Sequence, residues 1–423
     1  MDNCHILVSG RWDNVLSVVD LRRALDPANH GTNTAIINRP RVTPDVDSDG
    51  DGVPDTIASG QPVNVVIPKN GRYAYVVNHS GRATPAAAAA FQHGHPGTVT
   101  VVDLKVALDP ASSGTVNAIA DIIPTGLSGP VGAAMTPDEK YLLVSCAEAM
   151  ESEDGGKEVT VIDVATHKVV RQIPMAVKKV NGADPVPASH PAPHASYGNF
   201  PDPNGVAVSD RYIFTGNGGT DDVSVIDLKR ALAGDPNAEL ARVPVEAGPF
   251  GLAVSPDGKL LAVANRESAQ TGADGRTISL IDIARAAAGA PDAERARVMV
   301  GTDDATVATR PFAVAFTQDG RHVIATCFRS NTVSLIDVSK ALAAQPAEVV
   351  RLKVPTPDGS PSRPRGVVLT PDGRYAAITG GAKTGSGSSM LFLIEVPAMK
   401  LAGTVTNVGN ESYLLDILPA PRS

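Results

Sequence analysis

Five of the nine histidines in this chain fall in two short stretches, and imidazole is the side chain most often used to hold zinc or copper. His79, His93 and His95 lie in the segment 79–97, and His190 and His194 in the segment 176–201. Neutral imidazoles converging from separate loops are what an open transition-metal site requires, so the set predicts zinc or copper. His93 and His95 face one way only if the chain between them is extended, and the prolines around His190 and His194 exclude a helical pair. Taken singly, each also reads as a loop histidine satisfied by backbone or water. A second constellation, Asp47, Asp49, Asp51 and Asp55, lies in the segment 41–60 with Gly52 at its sixth position. Alternate carboxylates with a glycine there can wrap oxygens around a hard cation, and four acids so spaced repel one another unless neutralised, which predicts calcium. Ala58 stands at the twelfth position where an acid would close the shell, so another segment or water would have to complete it. A solvated acidic turn is the alternative.

The elements that must position these residues repeat. Arg310 to Asp337 reads as an apolar run, a Gly-bearing turn at Gly320, a second apolar run ending at Cys327, a short loop, and a third run ending at Asp337. Val, Ile, Phe and Thr dominate, which favours strands over helix. The third run recurs with a terminal acid at Asp20, Asp103, Asp163, Asp227, Asp282, Asp337 and Glu395, seven times in all. The first two runs recur completely from Gln61, Gly129, Asp202, Gly248, Arg310 and Arg363. The copy at the N-terminus lacks its first strand, and Ser412 to Ile417 at the C-terminus supplies a candidate. The fold class expected is therefore all-β: one domain over 1–423, seven four-stranded antiparallel blades, closed by the C-terminal strand pairing into the N-terminal blade. Ala/Leu-rich segments after the third strand predict single helical turns in blades 1, 2, 4, 5 and 6.

Composition narrows the function. The formal net charge of −8 and the sequence pI near 5.6 argue against nucleic acid or an anionic membrane as partner. No apolar run approaches the roughly 18 residues of a membrane span. Three dispersed cysteines, Cys4, Cys146 and Cys327, make no disulfide framework, and Cys146 and Cys327 close apolar runs as small core residues. No P-loop, Rossmann fingerprint, nucleophile elbow or covalent haem motif is present, so no nucleotide cofactor is expected.

Tyr75-Val76-Val77-Asn78, the turns Ser255-Pro256-Asp257-Gly258 and Thr370-Pro371-Asp372-Gly373, and the acid-terminated strands resemble the YVTN family of seven-bladed β-propellers over nearly the whole chain. That resemblance implies the fold; such propellers include surface-layer proteins, redox-enzyme subunits and lactonase-like proteins, so it leaves function open. The acidic segment resembles the calcium repeats of thrombospondin type 3 at Asp47, Asp49, Asp51, Gly52 and Asp55. The first residues lack the basic and apolar regions of a signal peptide. The family resemblance and the calcium-like loop nevertheless point to an exported protein, periplasmic or extracellular.

In an up-and-down blade successive connections alternate between two ends, so the segments 41–60, 79–97 and 176–201 share one face. The residues entering the first strands, Gln61, Gly129, Asp202, Gly248, Arg310, Arg363 and Glu411, belong to that same face. Period-two geometry returns Arg365 to the side of Arg363, and Arg11, with Trp12 beside it, and Arg266 begin the loops after second strands. Arginines so gathered predict a small anionic ligand, most simply a carboxylate held bidentately. Mutual pairing, Arg310 with Asp202 or Glu411 for instance, is the alternative. Three functions remain open. One is a metal- and anion-binding module. The second is a metal-dependent hydrolase, lyase or oxidase acting on a carboxylated substrate. The third is a non-catalytic interaction or redox-assembly subunit with a protein partner.

Overall fold

The computed structural model describes residues 4–44, 51, 60–79, 96–147, 156–176, 201–269, 271–304, 306–381, 389–396 and 398–419. Its strands form seven four-stranded antiparallel sheets, a seven-bladed β-propeller. Blade 1 joins Leu415–Leu418 to His5–Gly10, Val15–Asp20 and Ile36–Asn38, with Leu7 opposite Asp416. The closing strand is therefore C-terminal, as the repeat count requires, but it starts at Leu415; Ser412 to Leu414 are bound differently, as described below. Blades 2 to 6 begin with Pro62–Val66, Pro130–Met135, Pro203–Val208, Pro249–Val254 and Pro311–Phe316, and blade 7 with Val367–Leu369.

The chain divides into two compact units, residues 1–126 with 352–423, holding blades 1, 2 and 7, and residues 127–351, holding blades 3 to 6. Within each unit, sheets stack face to face and bury apolar side chains between them. In the first, Ile6, Val8, Ala377, Leu391 and Leu393 form one such layer and Leu7, Leu16, Val76 and Val102 another. In the second, Ala262, Leu280, Val323, Ala325 and Ile336 pack together. Because the second and third strands are covered on both faces, they read as mainly apolar runs interrupted by buried hydroxyls, whereas fourth strands such as Lys168–Pro174 show one face to water. Each fully covered Val, Leu or Ile is worth about 1.5–3 kcal/mol.

The recurrent polar residues have local causes. The acids ending the third strands of blades 1, 2, 4, 5 and 6, Asp20, Asp103, Asp227, Asp282 and Asp337, are N-caps whose carboxylates accept from the first backbone N–H groups of short helices. In the Ser255 turn, the hydroxyl donates to Asp257 (2.7 Å) and accepts from the backbone N–H of Leu260 (2.9 Å). Thr136, Thr317 and Thr370 repeat this arrangement.

The end of the second strand shows a further pattern. Asn78, Asn217 and Asn265 are fully buried there and donate to hydroxyls of the third strand: Thr98 and Thr100, Ser224, and Thr277 and Ser279. Cys146 and Cys327 take the same place in blades 3 and 6, with Sγ against the hydroxyls of Thr160 and Ser334. In blades 4, 5 and 6 the third-strand serine then donates to Glu239, Glu294 or Glu348 of the fourth strand. Each of these pairs with an arginine three residues on, Arg242, Arg297 or Arg351.

Candidate functional site

All seven residues that enter the first strands adopt left-handed backbone: Gln61 (φ 51°), Gly129 (59°), Asp202 (54°), Gly248 (25°), Arg310 (47°), Arg363 (42°) and Glu411 (54°). In blades 2 to 6 the carbonyl of this residue accepts the N–H of the residue just past the second strand, His79, Ala147, Gly218, Arg266 or Phe328. Glycine adopts this conformation without penalty, but an L side chain costs about 1–3 kcal/mol, and five of the seven positions bear polar or charged side chains. Strain retained with such side chains marks this end of the blades as the place to look for binding.

Proline follows the entry residue in six blades, and the next residue in turn is Val63, Val131, Asn204, Phe250, Phe312, Arg365 or, in blade 1, Tyr413. In blades 2 to 6 the strand register shifts across this position, a β-bulge that re-aims the side chain. Period-two reasoning from the entry residue does not survive a bulge, and of this set the sequence reading had singled out only Arg365. The signal that could have found the rest is the recurrence of X-Pro-y itself.

In the first unit these positions build one cluster. Arg11 donates Nε and one Nη to the Gln61 side-chain oxygen (3.1 and 2.9 Å) and its other Nη to the Tyr413 hydroxyl (3.2 Å). Its guanidinium carbon lies 5.0 Å from the Trp12 ring and 5.3 Å from that of Tyr413. Arg365, 1% exposed, stacks at 5.4 Å on the same Tyr413 ring and donates to the Ser412 carbonyl (3.2 Å). Glu411 is buried and accepts from the Trp12 indole, while Trp12 remains 40% exposed. Tyr413 is fixed through its carbonyl, which accepts from Gly366 N–H (3.0 Å) and the Thr379 hydroxyl, and Leu414 N–H donates to Val63 (3.0 Å). Ser412 to Leu414 thus bind to blades 2 and 7, and this is what seats Tyr413 between two arginines. Arg363 is half-buried.

In the second unit, Arg266 lies 5.1 Å from both the Phe250 and Phe312 rings, which are themselves 4.4 Å apart. Arg310 pairs with Glu267 (2.5 Å) and Asp274, and Arg329 also reaches Asp274 (3.1 Å). Asp202 or Glu411 is the sequence's example of an alternative partner for Arg310; the acids it pairs with come from the loop after the second strand of blade 5. Asp202 is buried, and its carbonyl accepts from Gly218 N–H (3.0 Å) and the Asn204 amide (3.2 Å).

Of the expected metal ligands, His93, His95, His190, His194, Asp47, Asp49 and Asp55 lie outside the described residues. Asp51 is exposed, and His79 follows the second strand of blade 2. Among the described residues no group of three or more His, Cys, Asp or Glu is placed to hold a metal ion. Among the same residues no helix is long and apolar enough to cross a membrane.

No family model and no curated protein sequence matches the chain. Solved structures do match in fold. The periplasmic gluconolactonase of Pseudomonas aeruginosa aligns over 99% of this chain and 100% of its own at 16% identity and a TM-score of 0.63. A putative 6-phosphogluconolactonase from Bacteroides uniformis aligns over 99% and 100% at 13% identity and 0.60. The hydrazine synthase of Kuenenia stuttgartiensis aligns over 83% and 82% at 18% identity and 0.54. These likenesses establish the seven-bladed propeller that the YVTN-like repeats imply.

Proposed function

We propose that this propeller binds a small carboxylated ligand at Arg11 beside Trp12 and Tyr413, with buried Arg365 adding positive charge behind the Tyr413 ring. The observation that carries the reading is the convergence of two guanidinium groups on one tyrosine ring in a chain whose net charge is −8. Guanidinium matches carboxylate through two parallel hydrogen bonds, each roughly twice as strong as a neutral one, so a carboxylate that takes over the Arg11 edge now on the Gln61 amide oxygen replaces a weaker acceptor. Gln61 and the Tyr413 hydroxyl add neutral hydrogen-bonding groups, and part-exposed Trp12 a flat wall, a combination suited to a polyhydroxylated acid or lactone. The fold likeness to a periplasmic gluconolactonase makes gluconate and gluconolactone the first ligands to try and supports a periplasmic location.

Turnover of such a ligand by hydrolysis, elimination or oxidation would need a base or a metal beside the arginines. Glu411 is the carboxylate this cluster contains. Calcium at Asp47, Asp49, Asp51 and Asp55, and zinc or copper at His79, His93, His95, His190 and His194, are further proposals that rest on residue types and spacing. A second reading, a non-catalytic subunit of a redox assembly, is supported by the likeness to hydrazine synthase and requires a partner chain that carries the cofactor.

A thermal-shift series tests the anion site. Millimolar gluconate should raise the melting temperature while sorbitol, the same carbon skeleton without a carboxylate, should not. Equal shifts with both, or with neither, would remove the anion site.

A further inference from the structure

We propose that Arg266, in the second unit, is a separate anion site, for a carboxylate carried on an apolar or aromatic body. Four observations meet there. The guanidinium lies 5.1 Å from two adjoining phenyl rings, Phe250 and Phe312, both nearly completely buried, with Phe328 at 6.3 Å from Phe312 extending the wall. Its Nε is buried and makes no hydrogen bond. Among the described residues it forms no ion pair. The two carboxylates nearest along the chain, Glu267 and Asp274, are taken by Arg310 and Arg329, which leaves that group of four neutral and the charge of Arg266 uncompensated.

A buried donor without an acceptor costs about 1–3 kcal/mol, more when charged, and stacking on two rings returns about 0.5–2 kcal/mol. The balance favours an incoming oxyanion. Arg266 is half-buried, so part of the residue reaches solvent. The left-handed Gly248 brings the carbonyl of Glu267 within 1.5 Å of where a Cβ would stand, so the backbone holding Arg266 over Phe250 closes tightly at this point. The walls set the ligand class. Arg11 is surrounded by Gln61, a phenol hydroxyl and an indole, whereas Arg266 meets only hydrocarbon rings, which favour an apolar body over a polyol.

Calorimetric titration of the full chain with benzoate and, separately, with neutral benzyl alcohol tests this. Benzoate should bind, and benzyl alcohol about tenfold more weakly or not at all. Arg266→Met should weaken benzoate about tenfold or more, and Lys229→Met, an exposed charge-matched control, should leave it unchanged. Arg266→Lys keeps the charge but not the planar fork and should give an intermediate loss, which serves if the methionine variant does not fold. Benzoate binding that is absent, matched by benzyl alcohol, or unaltered by either Arg266 variant would make Arg266 a cover for the aromatic core and overturn the proposal.

Discussion

Asp416 sits on the closing strand of blade 1, opposite Leu7, and its two carboxylate oxygens accept from the backbone N–H groups of Ile67 in blade 2 and Ile417 (2.8 Å each). Burial pushes its carboxyl up from the ordinary 3.8 to about 6, and the two N–H donors offset only part of that rise. The folded state therefore holds this proton more tightly than the unfolded chain. The stability Asp416 contributes is fully present below pH 3.8, is lost as pH rises toward and through about 6, and stays lost above it. The gap between the two values corresponds to about 3 kcal/mol, an upper figure because Asp416 is only partly buried. Asp416→Asn cannot ionise and should remove this slope. Its amide keeps one of the two backbone acceptor contacts and sets an NH2 against the other donor, at a pH-independent cost of about 1–3 kcal/mol. The assay is equilibrium denaturation of both proteins at half-unit steps from pH 4 to 8. The variant should be the less stable at pH 4, and its deficit should shrink by about 2–3 kcal/mol, or reverse, by pH 7. A difference that stays constant across the range would refute the assignment. Carboxylates held low by hydroxyl contacts, such as Asp257 and Asp319, act below pH 4 and are common to both proteins, so they cancel.

Other expectations follow from single contacts. Gly248→Ala sets a Cβ against the Glu267 carbonyl and should destabilise by about 3 kcal/mol or more. Gly258→Ala, also left-handed but with open space around it, should cost only about 1 kcal/mol, and chemical denaturation of the pair measures the contrast. All three cysteines are buried, and burial pushes the Cys327 thiol up to about 12, so a thiol reagent at pH 8 should label none in the native protein and three after denaturation. Glu348→Ala removes the acceptor for Ser334, Gly301 N–H and Arg351 together and should cost about 2–4 kcal/mol in the same denaturation assay. Elemental analysis of protein purified without chelator and then supplied with calcium, zinc and copper should find calcium and a transition metal. Finding neither would remove both metal proposals.

The blades were legible because the repeat exposes itself: a terminal acid seven times, S/T-P-D-G turns, and mainly apolar runs where strands are covered on both faces. The closing strand was legible from a count, since one copy lacked a first strand. Its start was misplaced by three residues because Ser412 to Leu414 are apolar and aromatic enough to pass for strand, yet they bind across blades. The entry residues were aligned correctly, but their left-handed backbone could not be read from Arg310, Arg363 or Glu411, which carry none of glycine's signal. The bulge after the entry residue hid Phe250 and Phe312 as wall residues, and Tyr413 was hidden because Ser412 to Leu414 pass for strand. The Glu239, Glu294 and Glu348 contacts with serines in the neighbouring strand depend on cross-strand register, which no local pattern states. Cys146 and Cys327 were read as core residues; that they stand where other blades place an amide became visible only from their hydroxyl partners.

Trp12 is the sole tryptophan, lies against Arg11 and donates to Glu411, so its emission reports directly on the proposed carboxylate site. Titrating gluconate into the protein should change that emission saturably, with sorbitol inert. Arg11→Met should raise the apparent Kd about 10–100-fold, the loss of one charge-assisted contact, and Arg365→Met, which removes a buried charge behind Tyr413, should raise it less. A gluconate titration that neither substitution alters, in variants that fold and melt normally, would contradict the claim that these two arginines make the site.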